Sequence, residues 1–355
     1  MNLTLHLTEN CNMDCSYCVR VKHAHDMSEE VLYKAVDLAF SKGSRAGICF
    51  FGGEPMLKKA MIMEALDYAK EKSSATGKRF DCKMTTNGTL LDEAFLQRAS
   101  EADMIIGLSY DGLGQDITRR MADKARSPST PFLEDKIPML LRYIPKAVAL
   151  ATIAPDAVGH YAESVRHIHD LGFTQSSFVL AYGPKVTWTD ADLEVLRDQL
   201  METADYMADL FAKGDSFILS PICTKVSDYL KGKNSASRCH LGTRQMQVDV
   251  RGDLYPCTSF VGDENYYLGN VFDGVDETNL TRIASRSHTP EACRECDLNG
   301  RCTNSCGCSN RMNTGDEDQV SPLQCTYERM LIEISDMLGD KMYAADPARF
   351  VKMFK

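Results

Sequence analysis

The segment Leu3-Thr4-Leu5-His6-Leu7-Thr8-Glu9-Asn10-Cys11-Asn12-Met13-Asp14-Cys15-Ser16-Tyr17-Cys18 runs from an apolar stretch into three closely spaced cysteines. A short apolar run bounded by polar loop residues reads as a buried strand. Similar runs recur at Ala46–Phe51, Phe80–Thr85, Met104–Ser109, Ala147–Ile153 and Ser177–Ala181. Helical patterns lie between them. Tyr161, Val165 and Ile168 repeat at helical spacing, as do Leu193, Leu196, Leu200, Met207 and Phe211. Ser28 is placed to N-cap a helix with Glu29 and Glu30 in its first turn, and Thr189 with Asp192 forms a capping-box pattern. Alternating strands and helices without hairpin signals predict an α/β fold with a parallel sheet. Six such units are too few for a closed eight-fold barrel, so the expectation is a partial (β/α)6, TIM-like barrel.

In βα barrels the reacting groups gather on the loops at the C-terminal ends of the strands. The first strand leads into Cys11-x3-Cys15-x2-Cys18, and the second into Gly52-Gly53-Glu54-Pro55. The third leads into Thr86-Asn87-Gly88-Thr89, and the fourth into Ser109-Tyr110-Asp111-Gly112. The third-strand segment also reads as an ordinary loop with an N-cap before a helix at Leu91. After Phe211 the pattern changes to Gly-, Asp- and Asn-rich turns with grouped cysteines, which divides the chain into 1–213 and 214–355. One helix is expected in the tail, over Tyr327–Leu338.

The 355 residues suffice for a large domain and a smaller one. No run of about 18 apolar residues is present, so no membrane span is expected. The first residues lack a basic segment followed by an apolar one, so no secretory signal is expected and the location is read as cytoplasmic. A formal charge of −10 argues against nonspecific nucleic-acid binding, which needs a basic surface. Fourteen cysteines are unusual in such a chain. Clustered cysteines in a reducing compartment serve metals or redox chemistry more often than disulfides. Three fall at Cys11, Cys15 and Cys18, eight between Cys239 and Cys325, and only Cys49, Cys82 and Cys223 lie between. Cys49 and Cys82, inside expected strands, read as small core residues.

Three cysteines within one short loop can hold three corners of a [4Fe–4S] cubane, leaving one iron for an exogenous chelate. A zinc knuckle is the alternative, with His23 or His25 as a further ligand.

The Cys11-x3-Cys15-x2-Cys18 spacing, with Tyr17 before the third cysteine, resembles the signature of the radical S-adenosylmethionine (SAM) superfamily. Gly52-Gly53-Glu54-Pro55 resembles that family's GGEP motif, whose backbone and Glu54 would receive the SAM ammonium. A carboxylate matches a cation, and glycines permit close backbone approach. The resemblance further implies that Asn87 lines the pocket, and that Ser109 and a following arginine hold the SAM ribose or carboxylate. Arg119 is the choice, with Arg120 and Arg126 as rivals.

The second cysteine group runs Cys239-x12-Gly252-x4-Cys257, then Cys293-x2-Cys296-x5-Cys302-x3-Cys306, then Cys325. It resembles the SPASM domain, which carries two auxiliary [4Fe–4S] clusters. By that resemblance Cys239, Cys257 and Cys306 hold the first auxiliary cluster, and Cys293, Cys296, Cys302 and Cys325 the second. Structural zinc is the other reading of this spacing. The fourth ligand of the first auxiliary cluster stays open between Cys223, Cys308 and none.

The family resemblance implies reductive cleavage of SAM and hydrogen abstraction from a peptide or protein, with a flavodoxin- or ferredoxin-type reductant. The expected activity is maturation of a ribosomally made, Cys-containing precursor peptide by a Cys thioether crosslink, with an open auxiliary iron taking the substrate thiol. The alternatives are sulfatase-maturase-like oxidation of a Cys or Ser to formylglycine and carbon–carbon crosslinking. Formylglycine formation would draw on an aspartate after the cysteine matching Cys257, where this chain has Thr258; Asp263 is the nearby substitute. A non-catalytic iron–sulfur or zinc protein is the remote alternative. With the Cys11 loop so early, leader recognition is expected to use a separate protein, the C-terminal domain or the barrel mouth.

Overall fold

The computed structural model describes every residue except 21, 233–239, 286–288 and 305. The six expected strands are present as β1 (Asn2–His6), β2 (Arg45–Phe51), β3 (Arg79–Thr86), β4 (Ile105–Ser109), β5 (Val148–Ile153) and β6 (Gln175–Leu180). They lie side by side in chain order and run parallel. Three more strands extend the sheet. β7 (Ile218–Ser220) adds in parallel beyond β6, and β8 (Met246–Val248) adds in parallel beside β1. β9 (Leu254–Tyr255) then pairs antiparallel with β8. The sheet therefore has nine strands with β9 and β7 at its edges, and the barrel is open. It takes strands from both sides of residue 213.

Alternation along the strands decides which residues reach the site. Leu3 and Leu5 pair in register with Ile48 and Phe50 of β2 and with Met246 and Val248 of β8. All six are buried in the main core, each worth about 1.5–3 kcal/mol of hydrophobic stabilisation. Because successive side chains point to opposite faces, Thr4, His6, Cys49, Phe51 and Gln247 share the other face, the barrel lumen. Cys82 is a small core residue as expected, 2% exposed. Cys49 is not: it falls on the lumen face, in register with Thr4.

The helices begin where local chemistry indicates. Ser28 accepts a hydrogen bond from the Val31 amide at the start of Glu29–Ser41, and Thr189 forms a reciprocal capping box with Asp192 ahead of Asp190–Ala212. After β3 the N-cap is Asp92, which accepts from the Phe95 amide, and the helix is Glu93–Glu101 rather than one starting at Leu91. The tail helix is longer than its apolar pattern suggested. Ser321 caps it and Pro322 occupies its first turn, so it spans Pro322–Ala345 and packs on Asp190–Ala212 and Ile222–Leu230.

Candidate functional site

The first cysteine loop is pinned at the C-terminal end of the sheet. Residues Met13–Cys15 pair antiparallel with Arg119–Met121, setting Cys15 opposite Arg119. Gly52 and Gly53 are required by this packing. A Cβ at Gly52, whose φ is +130°, would stand 2.5 Å from the Thr8 carbonyl oxygen, and one at Gly53 would stand 2.0 Å from that of Asn10. In their place the Gly53 amide donates to Thr8 at 2.8 Å and the Glu54 amide to Asn10 at 2.9 Å. The close approach that these glycines permit is thus to the cysteine loop itself.

Glu54 is buried, and its carboxylate accepts from Thr86 Oγ1 at 2.6 Å, the Asn87 amide at 2.7 Å and the Met56 amide at 2.9 Å. Burial raises its carboxyl above the usual range despite these donors. A carboxylate has about four lone-pair positions, so one remains for an ammonium group. Asn87 Nδ2 donates to Asn12 Oδ1 at 2.7 Å and lies 4.0 Å from Cys11 Sγ, to which the Met13 amide also donates at 3.4 Å. Glu54, Asn87 and Cys11 therefore form one connected patch.

Across the loop, Asp111 is 1% exposed and gathers four partners. Its Oδ2 accepts from Tyr17 Oη at 2.8 Å and Thr118 Oγ1 at 2.8 Å, and stands 2.9 Å from Arg119 Nε; its Oδ1 accepts from the Thr152 amide. The Arg119 guanidinium also lies over the Tyr17 ring, 5.3 Å from its centroid. Of the three candidate arginines, Arg119 is the buried one. Arg126 pairs with Asp14 in the open, and Arg120 donates to the Arg126 carbonyl. Ser109 ends β4, half-buried, next to this group. Asp111 itself was visible in the sequence only as part of a strand-end loop; its role as the hub needed the fold.

The lumen holds a polar chain that sequence reading missed. Arg20 Nη1 lies 3.0 Å from His6 Nδ1, and His6 Nε2 lies 3.0 Å from Gln247 Oε1. Arginine only donates, so His6 accepts at Nδ1 and carries its proton on Nε2. Burial and then the Arg20 charge push its pKa down to about 3. Thr258 Oγ1 donates to the same Gln247 oxygen at 2.9 Å. Asp263 does not substitute as a base: it pairs with Arg311 and caps the turn at Asn265. Arg20 Nη2 is buried without a hydrogen-bond partner among the described residues.

The C-terminal cysteines separate into two groups. Cys293, Cys296, Cys302 and Cys325 line one small cavity, together with Asn299, Asn304 and Glu328. Glu328 forms a buried pair with Lys225 at 2.5 Å and accepts from the Thr303 amide and hydroxyl. Burial, with the Glu328 charge adding to it, pushes the Cys302 thiol up to about 12. The second group contains Cys257, Cys306 and Cys308. Cys306 and Cys308 sulfurs stand 3.4 Å apart, and Cys257 lies beside them. With one proton held between the three sulfurs, Cys257 and Cys306 lie below the ordinary thiol range and Cys308 above it; iron ligation removes that proton as well. Cys239 lies outside the described residues. Cys223 is not brought to this group. It sits at the start of Ile222–Leu230, buried in the main core, and bonds the Leu219 backbone.

These donor sets suit clusters. Among the described residues no three Cys, His, Asp or Glu side chains converge tightly enough to hold a single metal ion. His25 is engaged by Glu9 and stacks on His23. Four thiols around a cavity match the one-thiolate-per-iron ligation of a [4Fe–4S] cluster.

The family profile for the radical SAM superfamily matches residues 5–196, and one described as an iron–sulfur cluster-binding domain, SPASM, matches residues 239–303. A cysteine-type anaerobic sulfatase-maturating enzyme of Clostridium perfringens is 24% identical over 322 residues, covering 84% of this chain and 86% of that protein. PqqA peptide cyclase of Granulibacter bethesdensis is 22% identical over 376 residues, covering 97% of this chain and 93% of that protein. In three dimensions the chain resembles native anSMEcpe, solved with bound AdoMet and a peptide. The TM-score is 0.76 at 18% identity, covering 99% of this chain and 98% of that one.

Proposed function

The chain belongs to the radical SAM superfamily, and from that premise we propose that it matures a Cys-containing peptide by joining the cysteine sulfur to a carbon of another residue. SAM and [4Fe–4S] clusters are its cofactors; when bound, they supply one-electron reductive cleavage and hydrogen-atom abstraction. Cys11, Cys15 and Cys18 would hold the SAM-binding cluster. Glu54 and Asn87 would orient the methionyl ammonium beside it. Arg119, fixed by Asp111 and Tyr17, would meet the carboxylate, and Ser109 the ribose. Cys293, Cys296, Cys302 and Cys325 would hold an auxiliary cluster.

The observation that carries the thioether reading is the Arg20–His6–Gln247–Thr258 chain. It presents no carboxylate, and its imidazole, with a pKa pushed down to about 3 and its Nδ1 lone pair taken by Arg20, is a poor base for a proton-abstraction route. It does present a buried guanidinium nitrogen without a hydrogen-bond partner among the described residues. A cation at this position lowers the pKa of a neighbouring thiol and favours the thiolate nucleophile. The substrate would lose one hydrogen atom by abstraction, then, as the C–S bond forms, one proton to solvent and one electron, for which an auxiliary cluster would be the acceptor.

Oxidation of a Cys or Ser to formylglycine is the second reading, favoured by the similarity to a sulfatase-maturating enzyme. Mass spectrometry separates the two after anaerobic incubation with a Cys-containing precursor peptide encoded beside this protein. A product lighter by two hydrogens and without a free thiol supports the crosslink. A new hydrazine-reactive aldehyde refutes it. Arg20→Met is expected to cut crosslinking at least tenfold while substrate-free SAM cleavage persists.

A further inference from the structure

Four of the fourteen cysteines fall outside the two motifs: Cys49, Cys82, Cys223 and Cys308. Three have evident places in the strands or the core. Cys308 does not. It stands two residues beyond Cys306, in the first turn of Gly307–Thr314, and its sulfur meets both Cys306 and Cys257.

A second group converges on the same sulfur. Tyr182 follows β6 at the C-terminal end of the sheet, where site residues gather, and its side chain lies beside Cys308, Cys306 and Cys257. Its loop is wedged between the two cysteine regions. A Cβ at Gly183 would lie 3.0 Å from Met312 and 3.1 Å from Val19, and Lys185 donates to the Cys18 carbonyl at 3.0 Å. The loop thus presents the Tyr182 side chain to Cys308 from a firm position.

We propose that Cys308 is a thiolate ligand of the first auxiliary cluster, completing with Cys257, Cys306 and the family-matched Cys239 the four that a [4Fe–4S] centre requires, and that Tyr182 tunes this centre through a hydrogen bond to the Cys308 sulfur. A closed centre has no vacant iron in the substrate-free enzyme. That assigns it to electron uptake, and leaves the substrate thiol to the Arg20 side of the lumen. The thiol placement rests on the thioether reading, whereas the ligand assignment does not.

The test uses the full chain, anaerobically reconstituted and reduced, with SAM present to occupy the first cluster and no peptide added. Carbon-13 cyanide is the probe for an open iron, read by electron–nuclear double resonance. The wild-type and Cys223→Ala proteins are expected to show no cyanide coupling, and Cys308→Ala to acquire it at one auxiliary centre. Cyanide coupling in the wild type, or its absence in a folded Cys308→Ala protein, overturns the assignment. Tyr182→Phe keeps every thiol, and is expected to make the potential of one auxiliary centre more negative while the other stays put, because a donated hydrogen bond stabilises the reduced cluster. Unchanged potentials overturn the Tyr182 role, and decide the proposal alone if Cys308→Ala does not fold. All these readouts precede turnover, so they stand or fall independently of the product.

Discussion

Arg119 Nε lies 2.9 Å from Asp111 Oδ2, and the two side chains are 10% and 1% exposed. The pair joins the end of the fourth strand to the ribbon that carries Cys15, since Arg119 sits opposite Cys15 in register. Its strength lies in the number of donors on one carboxylate: Tyr17 and Thr118 share the oxygen that Arg119 meets.

Asp111→Asn is expected to leave a buried guanidinium uncompensated, at a cost of about 3–5 kcal/mol. The measurement is the thermal midpoint of the reconstituted protein together with SAM affinity by calorimetry. Both should fall, and Arg126→Met should leave both near wild type, because the Arg126–Asp14 pair is exposed. Equal effects of the two variants would refute the assignment of Arg119 as the buried partner.

Gly53→Ala places a methyl group where the Asn10 carbonyl oxygen stands, at 2.0 Å. The obstacle is backbone, so the Cys11 loop must shift. Reconstituted iron is expected to drop from about 12 to about 8 per chain as one of three cubanes is lost. Gly77→Ala is the control: a Cβ there meets nothing within 4 Å, although its φ of +67° costs some stability. An iron content unchanged in Gly53→Ala would show that the loop position is not set by this contact.

His6 should make the fold sensitive to acid. Its folded pKa is lowered to about 3 by burial and by Arg20, against an unfolded value near 6.5. Between those two values the unfolded chain binds the extra proton, so stability rises with pH across this window and is lost as pH falls below about 6.5. His6→Gln removes the titration, and thermal midpoints followed from pH 7.5 to 5 should fall less steeply than in the wild type. A slope identical to wild type would place the acid sensitivity elsewhere.

Lys225→Met removes the cation from a buried pair whose lysine and glutamate are 3% and 4% exposed. Glu328 then faces Cys302 unneutralised, and the expected loss is about 3–5 kcal/mol. Two readouts should move together: the thermal midpoint falls, and the potential of the Cys293 centre becomes more negative, since added negative charge opposes reduction. Pairing with Glu328→Gln should recover part of both, and no recovery would argue against charge as the cause.

Much of this was legible in order along the chain. Alternating apolar runs marked β1 to β6 because burial of one strand face is a local pattern, and the strand-end rule then pointed to Cys11, Gly53, Glu54, Asn87 and Ser109. Short strands escaped. β7 and β8 have only three residues each, too few for a period to show, and β8 owes its existence to pairing with a strand more than two hundred residues earlier. Helix ends were legible where a side chain caps its own backbone, as at Ser28 and Thr189, and less so at Asp92, where the cap lies beyond the expected loop.

Cysteine spacing and strand order by themselves determined the superfamily, the cofactors and the open parallel sheet, because ligand spacing and side-chain alternation are written within short stretches of chain. Only the tertiary structure decided which spare cysteine joins Cys257 and Cys306, that Asp111 anchors Arg119, and that His6 is held neutral between Arg20 and Gln247. Each of those depends on burial and on contacts between distant segments, and no local pattern encodes the distance between side chains that the fold alone brings together.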